Sequence, residues 1–359
     1  MTNRILMIAL ATVAGLVLAP FVRAADERDL LNVRATADQP VKVIFDTDIG
    51  GDIDDAFALA LLHEFANRGV CELLGVTITN HEVAAAKYVA AFNANYGRPE
   101  IPVGFCADCP DKDDRYPTDI ITKKNAQGEL VYPVPSGFQA QDAVALLRKL
   151  LANAQDGEVV IIQVGSSYNL AKFLDSAPDE ISPMTGKELA ARKVRLVSVM
   201  GGAFAIDKTA EAYREHKEWN IICNIPAAQK FAKEWPTEVV YSGYEVGDRI
   251  RMQPINLKRD YTGRSRIARD SFEYWTAKNT QEGFNHRRPT WDLTSVLFVL
   301  RPEEGRNYFT LSEPGDVAFS DEGKTVFTPN PQGRSRCFLT DELSRARVEE
   351  AFVNLCSEP

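Results

Sequence analysis

Five aspartates stand close together near the start of the chain, in the stretch VIFDTDIGGDIDDAFALALL at positions 43–62. They are Asp46, Asp48, Asp52, Asp54 and Asp55. Carboxylates at this density repel one another, and burying one costs several kcal/mol unless a positive group compensates it. The apolar run before them predicts a buried strand, and the apolar run after them predicts a helix. The spacing therefore indicates a site for a positively charged ligand where a strand meets a helix.

The cluster has two interpretations. In the first, Asp52 caps the helix, while Asp54 and Asp55 interact favourably with the helix dipole. That interpretation does not explain Asp46 and Asp48, which follow the predicted strand directly and are not stabilised by the helix dipole. In the second, a Gly-Gly turn folds the chain back so that carboxylates from strand and helix face one point, where a hard divalent cation binds. The second interpretation is preferred because it gives the remaining aspartates a role.

Strand and helix patterns alternate along most of the chain. Apolar runs predict strands at 41–45, 72–78, 101–104, 159–164, 194–200 and 238–242, and helices are predicted at 54–67, 84–96, 140–153, 169–175, 226–234, 264–279, 292–300 and 341–356, with antiparallel strands up to 339. The polar segment 106–137 is expected to be a long loop or insertion near the site. This alternation predicts an α/β fold, an open, mostly parallel (mixed) sheet with helices on both faces and a Rossmann-like core. Ligands of such sheets bind outside the carboxyl ends of the strands.

Several segments, in matching order, resemble the inosine/uridine-preferring nucleoside hydrolases. The stretch DTD followed by DDA at 46–56 resembles the N-terminal signature of that family, although the turn between the two parts is longer than in its best-known members. Four later segments agree as well, and they are QVGSSYNLAKFL at 163–174, MGGAF at 200–204, EWNIICNIPAA at 218–228 and TWDLTSVL at 290–297. The resemblance covers about residues 41–300.

The resemblance implies a calcium-dependent N-glycosidase that acts on a small nucleoside-like substrate and forms a homodimer or homotetramer. Asp48 would bind Ca²⁺ and deprotonate the attacking water, and Asp55 and Asp292 would be further ligands, with Val164 contributing its backbone carbonyl. The resemblance also implies contact with the sugar hydroxyls by Asp54, Asn80, Glu218 and Asn220, and support of the site by Asp46. Trp291 is a further candidate for contact with the substrate, and Asp52 is a further candidate for support of the site. Carboxylates and aligned hydroxyl contacts stabilise the oxocarbenium-like state of such a reaction.

The sequence departs from the family where a histidine usually precedes the late aspartate and helps to protonate the leaving base. Trp291 occupies that place, and either stacking on a purine or core packing explains an aromatic residue there. His81 and His216 lie near strand-end motifs and are expected to be surface residues. Arg287 and Arg288 are close enough in sequence to approach a leaving group, but a solvated loop is the preferred interpretation for both.

The first residues predict export. Residues 1–24 contain Arg4, an apolar run at 5–18 and a small-x-small site that ends at Ala24, as in a cleavable signal peptide. An uncleaved anchor is disfavoured because the run is short for a span of about 20 residues. The mature protein is therefore expected to be periplasmic or extracellular and not membrane-bound, with a linker at 25–39 and a single domain at 40–356.

Charge, cysteine content and motifs limit the classes of protein function that remain possible. A net charge of −9 argues against a nucleic-acid binder. The chain has six cysteines, of which Cys106 and Cys109 suit a local disulfide, and its four histidines do not supply a zinc site. An exported nucleoside- or sugar-binding protein that has lost catalysis is the main alternative. A phosphatase with an aspartyl nucleophile is disfavoured, because the EWN and WDL segments have no place in that chemistry.

Overall fold

The computed structural model describes residues 39–300, 308–341, 343 and 345–356. Eleven strands within these residues form a mixed sheet, and they are β1 Val41–Thr47, β2 Cys71–Ile78, β3 Val103–Phe105, β4 Gln141–Asp142, β5 Val159–Gln163, β6 Val194–Met200, β7 Glu238–Ser242, β8 Thr310–Leu311, β9 Gly315–Phe319, β10 Thr325–Pro329 and β11 Ser335–Leu339. The predicted signal peptide, and the linker up to residue 38, lie outside the described residues.

The strand order places β1 in the middle of the sheet. The order is β10-β9-β11-β7-β6-β5-β1-β2-β3-β4, with β8 paired to β11. The pairs from β11 through β7, β6, β5, β1, β2 and β3 to β4 are parallel, and β9, β10 and β8 add antiparallel pairs. Because the chain leaves β1 on one side and returns to its other side with β5, a crevice is expected outside the carboxyl ends of these two strands.

Helices cover both faces of the sheet, as predicted. They are α1 Asp54–Asn67, α2 Val83–Asn95, α3 Pro117–Thr122, α4 Ala143–Asn153, α5 Tyr168–Leu174, α6 Gly186–Lys193, α7 Trp219–Ile222, α8 Ile225–Glu234, α9 Tyr244–Gly247, α10 Pro254–Asp260, α11 Arg266–Asn279, α12 Asp292–Val299 and α13 Arg345–Cys356. Val43 and Phe45 of β1 join one apolar core, whereas Ile44 joins a second core. Successive residues of a strand point to opposite faces, so the sheet separates the two cores.

Two buried helices bring remote parts of the chain together. Helix α1 is buried over almost its whole length, and α12 is buried throughout and packs against it. Because both helices begin at the same edge of the sheet, Asp292 at the start of α12 comes close to Asp54 and Asp55 at the start of α1. This contact between the two helices assembles the site.

Some elements differ from the sequence-based expectation. Strand β1 continues to Thr47, so Asp46 lies within the strand rather than after it, because pairing with β2 continues to the end of both strands. The tail is not wholly antiparallel, since β11 pairs in parallel with β7. The segment 106–137 is mostly irregular and contains the short helix α3. No helix in the described part of the chain combines the length and the apolar character needed to cross a bilayer.

Candidate active site

A cavity of about 450 Å³ opens at the carboxyl ends of the central strands. The predicted site residues that line it are Asp48, Asp52, Asp54, Asp55, Val164, Glu218, Asn220, Trp291 and Asp292. The remaining two predicted residues, Asp46 and Asn80, are buried and are not part of this lining. Residues from the beginning, the middle and the end of the chain therefore share one cavity.

Three buried carboxylates form the centre of the cavity wall. Asp54, Asp55 and Asp292 each place one carboxylate oxygen within 4.8 Å of the other two. Oδ2 of Asp54 also accepts hydrogen bonds from the backbone N–H groups of Trp291 at 2.9 Å and of Asp292 at 3.3 Å. The hydroxyl of Thr47, at the end of β1, donates to Asp55. The Asp54 carboxylate is therefore held by backbone N–H groups, and the Asp55 carboxylate by a neighbouring hydroxyl.

The electrostatics of this cluster fit a bound cation. Burial raises the pKa of Asp55 and of Asp292 well above the usual value, and the neighbouring carboxylates raise it further. Burial and the Asp55 carboxylate do the same to the pKa of Asp48. Burial raises the pKa of Asp54 to about 7, Asp52 adds to this effect, and Arg288 opposes it. A hard divalent cation would offset this repulsion, and oxygen-only donors are the ligands that such cations prefer.

Asp46 supports the end of β1 from beneath the cavity. Its Oδ1 accepts hydrogen bonds from the hydroxyl of Thr77 at 2.5 Å and from the side-chain amide of Asn169 at 2.8 Å. Burial raises the pKa of Asp46 to about 7, and Oδ2 has no hydrogen-bond partner among the described residues. The side chain therefore joins β1 to β2 and to α5, at the base of the loop that carries Asp48.

A close approach of β1 and β5 requires a glycine. A Cβ on Gly165 would lie 2.6 Å from the backbone nitrogen of Asp48 and 2.6 Å from Oγ1 of Thr79. Any side chain at this position would push the segment after β5 away from Asp48. Gly165 therefore keeps Val164 at the cavity, opposite the aspartate turn.

The opposite wall is built by the short helix α7. Glu218 caps this helix, and its carboxylate accepts hydrogen bonds from the backbone N–H groups of Asn220 at 2.8 Å and Gly202 at 3.0 Å. The Asn220 amide in turn donates to the carbonyl of Val164 at 2.7 Å and to that of Met200 at 3.2 Å. Burial raises the pKa of Glu218 to about 7. These bonds tie α7 to the ends of β5 and β6.

Comparison with known proteins decides the family. The model of the family described as inosine-uridine preferring nucleoside hydrolase matches residues 43–351, which is most of the chain. The chain belongs to this family. It is therefore a hydrolase that acts on N-glycosyl bonds. A search of curated proteins finds no match for the sequence.

Solved nucleoside hydrolases share the fold. The plant nucleoside hydrolase PpNRh1 is 19% identical, with a TM-score of 0.65 over 89% of this chain and 100% of that one. The inosine-uridine preferring nucleoside hydrolase of Bacillus anthracis is 18% identical, with a TM-score of 0.61 over 88% and 99%. The type III effector protein XopQ, solved with adenosine diphosphate ribose, is 15% identical, with a TM-score of 0.62 over 92% and 96%.

Asn80 and His81 lie behind the active-site cavity of this nucleoside hydrolase. The Asn80 amide donates to the carbonyls of Ile49 at 3.1 Å and Asp113 at 2.6 Å, so it ties the aspartate turn to the segment 106–137. Nδ1 of His81 contacts the carbonyl of Cys109 at 2.8 Å. His216, in contrast, lines the cavity.

Aromatic side chains border the cavity at the position before Asp292, where the resemblance to the family led us to expect a histidine. Trp291 is only 9% exposed, and its Nε1 donates to the carbonyl of Tyr244 at 2.9 Å. The Tyr244 ring lies 5.3 Å from the Trp291 ring and stacks on His216 at 3.8 Å. Trp291 therefore both packs in the core and borders the cavity. Tyr244 was missed by sequence reasoning, although it follows the end of β7 as the other site residues follow their strands.

Asp52 and Arg288 lie in other environments than a helix cap and a solvated loop, which the sequence suggested for them. Asp52 does not cap α1, because Ile53 occupies the N-cap position; its carboxylate instead pairs with the Arg288 guanidinium. Arg288 is not solvated, since it lines the cavity and packs against tryptophan rings, whereas Arg287 is exposed. The Asp52 carboxylate and the tryptophan rings hold Arg288 at the cavity, and the sequence of the loop around Arg288 does not reveal either kind of partner.

The segment 106–137 reaches the nucleoside hydrolase cavity through Asp113 and Arg115, which sequence reasoning did not single out. Nε of Arg115 pairs with Asp113 at 3.0 Å. Cys106 and Cys109, whose spacing suits a local disulfide, are free thiols in this structure, as are the other four cysteines. Sγ of Cys109 instead donates to the carbonyl of Cys106 at 3.3 Å.

Proposed function

We propose that this protein is a calcium-dependent hydrolase that cleaves the N-glycosidic bond of nucleosides or related N-ribosyl compounds, releasing ribose and the free base. The observation that carries the proposal is the convergence of Asp54, Asp55 and Asp292, with oxygens within 4.8 Å of one another, in a cavity large enough for a small molecule. The raised pKa of these carboxyl groups supports a bound cation, because a divalent ion would offset their mutual repulsion.

The residues that would hold the calcium ion are Asp48, Asp55 and Asp292 through carboxylates and Val164 through its carbonyl. When bound, the ion would orient a water molecule and make it more acidic. Asp48 is the side chain that would accept the proton from this water, because it borders the cavity and follows β1 directly. Thr47 and Asp54 would hold their neighbours in place through the hydrogen bonds described above.

The sugar would lie between the aspartates and the wall formed by α7. Glu218 and Asn220 face the cavity from that wall, and Asp54 faces it from α1. Carboxylate and amide oxygens in these positions suit ribose hydroxyls, which are both donors and acceptors. The same carboxylates would favour the positive charge that develops on the sugar ring as the N-glycosidic bond breaks.

A binding protein without efficient catalysis is the second candidate, and one observation favours it. Trp291 replaces the usual histidine, and its Nε1 is already bonded to the carbonyl of Tyr244, so it has no proton for a leaving base. Titration calorimetry with inosine and uridine, run beside an assay for free ribose, separates the candidates. Tight binding with no ribose released would favour the binding protein.

The deciding experiment is a screen for ribose released from inosine, uridine and nicotinamide riboside, with calcium and after chelation. ADP-ribose, the compound bound in the XopQ structure, is added as a competing ligand. We expect calcium-dependent release by the wild type and a loss of about 10²-fold or more in Asp48→Asn. Asp108→Asn, an exposed change outside the cavity, is the matched control. Unchanged turnover in Asp48→Asn would contradict the assignment.

We also propose that the protein is exported, that residues 1–24 are cleaved after Ala24, and that residues 40–356 act as one catalytic unit. The apolar run at 5–18 and the small residues before position 25 support cleavage. N-terminal sequencing of the secreted protein tests the cleavage site.

We further propose that the protein forms a homodimer or homotetramer and binds no nucleic acid. Light scattering after gel filtration would test the oligomeric state, and a DNA-binding assay would test the second point.

A further inference from the structure

Arg288 is held in place at the cavity by three partners. Its Nε contacts Oδ1 of Asp52 at 2.9 Å, and its Nη2 contacts the other carboxylate oxygen. Its guanidinium carbon lies 4.9 Å from the ring centre of Trp275 and 5.0 Å from that of Trp291. Trp275 also donates from Nε1 to the carbonyl of Gly51 at 2.9 Å, so the same group of contacts fixes the turn that carries Asp52.

This arrangement leaves part of the guanidinium facing the cavity. The side chain of Arg288 is 24% exposed, and it lines the cavity beside Trp291. A guanidinium has five N–H donors. Asp52 accepts one hydrogen bond from Nε and one from Nη2, and Nη1 makes no hydrogen bond to any residue that the structure describes. A permanently charged donor is therefore presented to the cavity in a fixed orientation.

We propose that Arg288 contacts the departing base and stabilises the electron density that the base acquires; this inference rests on the proposed function. When the bond between the sugar and the base breaks, its electron pair goes to the base nitrogen. Water adds to the sugar carbon and gives one proton to Asp48, and the base then takes one proton from solvent. Arg288 donates a hydrogen bond to an acceptor atom of the base and transfers no proton, because arginine stays protonated.

Three other donors around the cavity are less suited to this task. Nε1 of Trp291 is bonded to the carbonyl of Tyr244. His216 is stacked on the Tyr244 ring at 3.8 Å, and burial lowers the pKa of its imidazole. Lys217 is 44% exposed and pairs with Glu322 at 3.8 Å. Arg288 combines a cavity position next to Trp291 with a rigid setting.

The proposal predicts that the effect of losing Arg288 depends on the charge and stability of the leaving group of the substrate. Hypoxanthine and uracil leave as bases that carry negative charge until they are protonated, so they need a donor. Nicotinamide leaves nicotinamide riboside as a neutral molecule, and 4-nitrophenolate leaves a riboside as a stable anion. Removing the guanidinium should therefore slow the first pair of substrates much more than the second pair.

The test compares Arg288→Met with Arg287→Met, a neighbouring change at an exposed arginine outside the cavity. For inosine and uridine we expect kcat of Arg288→Met to fall roughly 10²-fold, as after loss of one charge-stabilising donor. For nicotinamide riboside and 4-nitrophenyl riboside we expect a much smaller fall, and Arg287→Met should match the wild type on all four substrates. Thermal unfolding of each variant confirms that it is folded.

The outcomes separate this proposal from the proposed function. An equal loss on all substrates would make Arg288 a structural residue and overturn this inference alone. A wild type that releases ribose from none of them would overturn the proposed function and this inference with it. If the wild type cleaves only inosine and uridine, added guanidinium decides the matter: it should restore turnover to Arg288→Ala, and a failure to do so would overturn the proposal.

Discussion

The side chain of Asp54 accepts a hydrogen bond from the backbone N–H of Trp291, which is 2.9 Å away in space and 237 positions away in the sequence. The same oxygen accepts a bond from the N–H of Asp292 at 3.3 Å. The start of α12 is thereby fastened to the start of α1, with a carboxylate at the positive end of the α12 dipole. The convergence of Asp54 and Asp292 therefore rests on a contact between the beginning and the end of the chain.

Asp292→Asn should remove the stabilising effect of calcium. In the wild type, calcium at 100 times its Kd should raise the free energy of unfolding by about 3 kcal/mol, because the ion binds only the folded protein. In Asp292→Asn the calcium-dependent increase should be largely lost, since one of the three converging carboxylates is gone. Thermal unfolding with calcium and with chelator measures this. An undiminished calcium response would place the ion elsewhere.

Gly165→Ala should destabilise the fold by about 1–3 kcal/mol, because the added Cβ would overlap backbone at the end of β1. Gly201→Ala is the matched control: its Cβ would meet neighbours at 3.5 Å, which is ordinary contact, and its backbone has no positive φ. Urea unfolding of both variants gives the comparison. Equal stabilities would show that the segment after β5 moves freely away from Asp48.

Trp291→Phe should lower the free energy of unfolding by about 0.5–1.5 kcal/mol, because it removes the hydrogen bond from Nε1 to the Tyr244 carbonyl, which then keeps only the backbone N–H of Asp248 as its donor. Since the ring is 9% exposed and packed in the core, KM for inosine and for uridine should change alike. Steady-state kinetics on both nucleosides check this. A rise in KM for inosine alone would instead mean that the indole stacks on purines.

His63 should make the protein less stable in acid. Burial lowers its pKa to about 3 from 6.5, and Nε2 contacts Oδ1 of Asn93 at 2.9 Å. Between pH 6.5 and pH 3 the unfolded chain therefore binds a proton that the folded protein does not, and the free energy of unfolding falls as the pH falls. The slope from this group is at most about 1.4 kcal/mol per pH unit.

His63→Gln should flatten that slope, because glutamine does not titrate. Urea unfolding from pH 7 to pH 4 gives the slope for both proteins. Identical slopes would show that His63 is protonated in the folded protein over this range.

The sequence predicts those site residues that lie at the ends of apolar strands and helices, because the apolar pattern of the neighbouring residues reveals the element. Asp46 and Asp48 lie at the carboxyl end of an apolar strand. Asp54, Asp55 and Asp292 begin apolar helices, so position along these elements indicates where the side chains point. Arg288 carries no such signal, and Tyr244 has only its position after the end of β7. Their places depend on partners such as Asp52 and His216, which only the packed structure brings to them.

The short elements were missed for a related reason. Helix α7 has only four residues, too few to show a repeating apolar pattern, and the carboxylate of Glu218 holds it at the cavity. Asp113 lies in a polar segment, where nothing in the local pattern separates a cavity residue from a solvated one. Long apolar elements are predictable because their burial dominates their energy, whereas single polar contacts in loops are decided by tertiary structure.

The docking of α12 on α1 also has a consequence for how the protein matures. A growing chain has made all five N-terminal aspartates long before residue 292 leaves the ribosome, so the acidic turn must wait for a partner from the far end. Contacts between such distant segments form slowly, because a large loop must close first. The enzyme should therefore acquire its activity only in the last stage of folding, and a chain that ends before α12 should be inactive however well its sheet has formed.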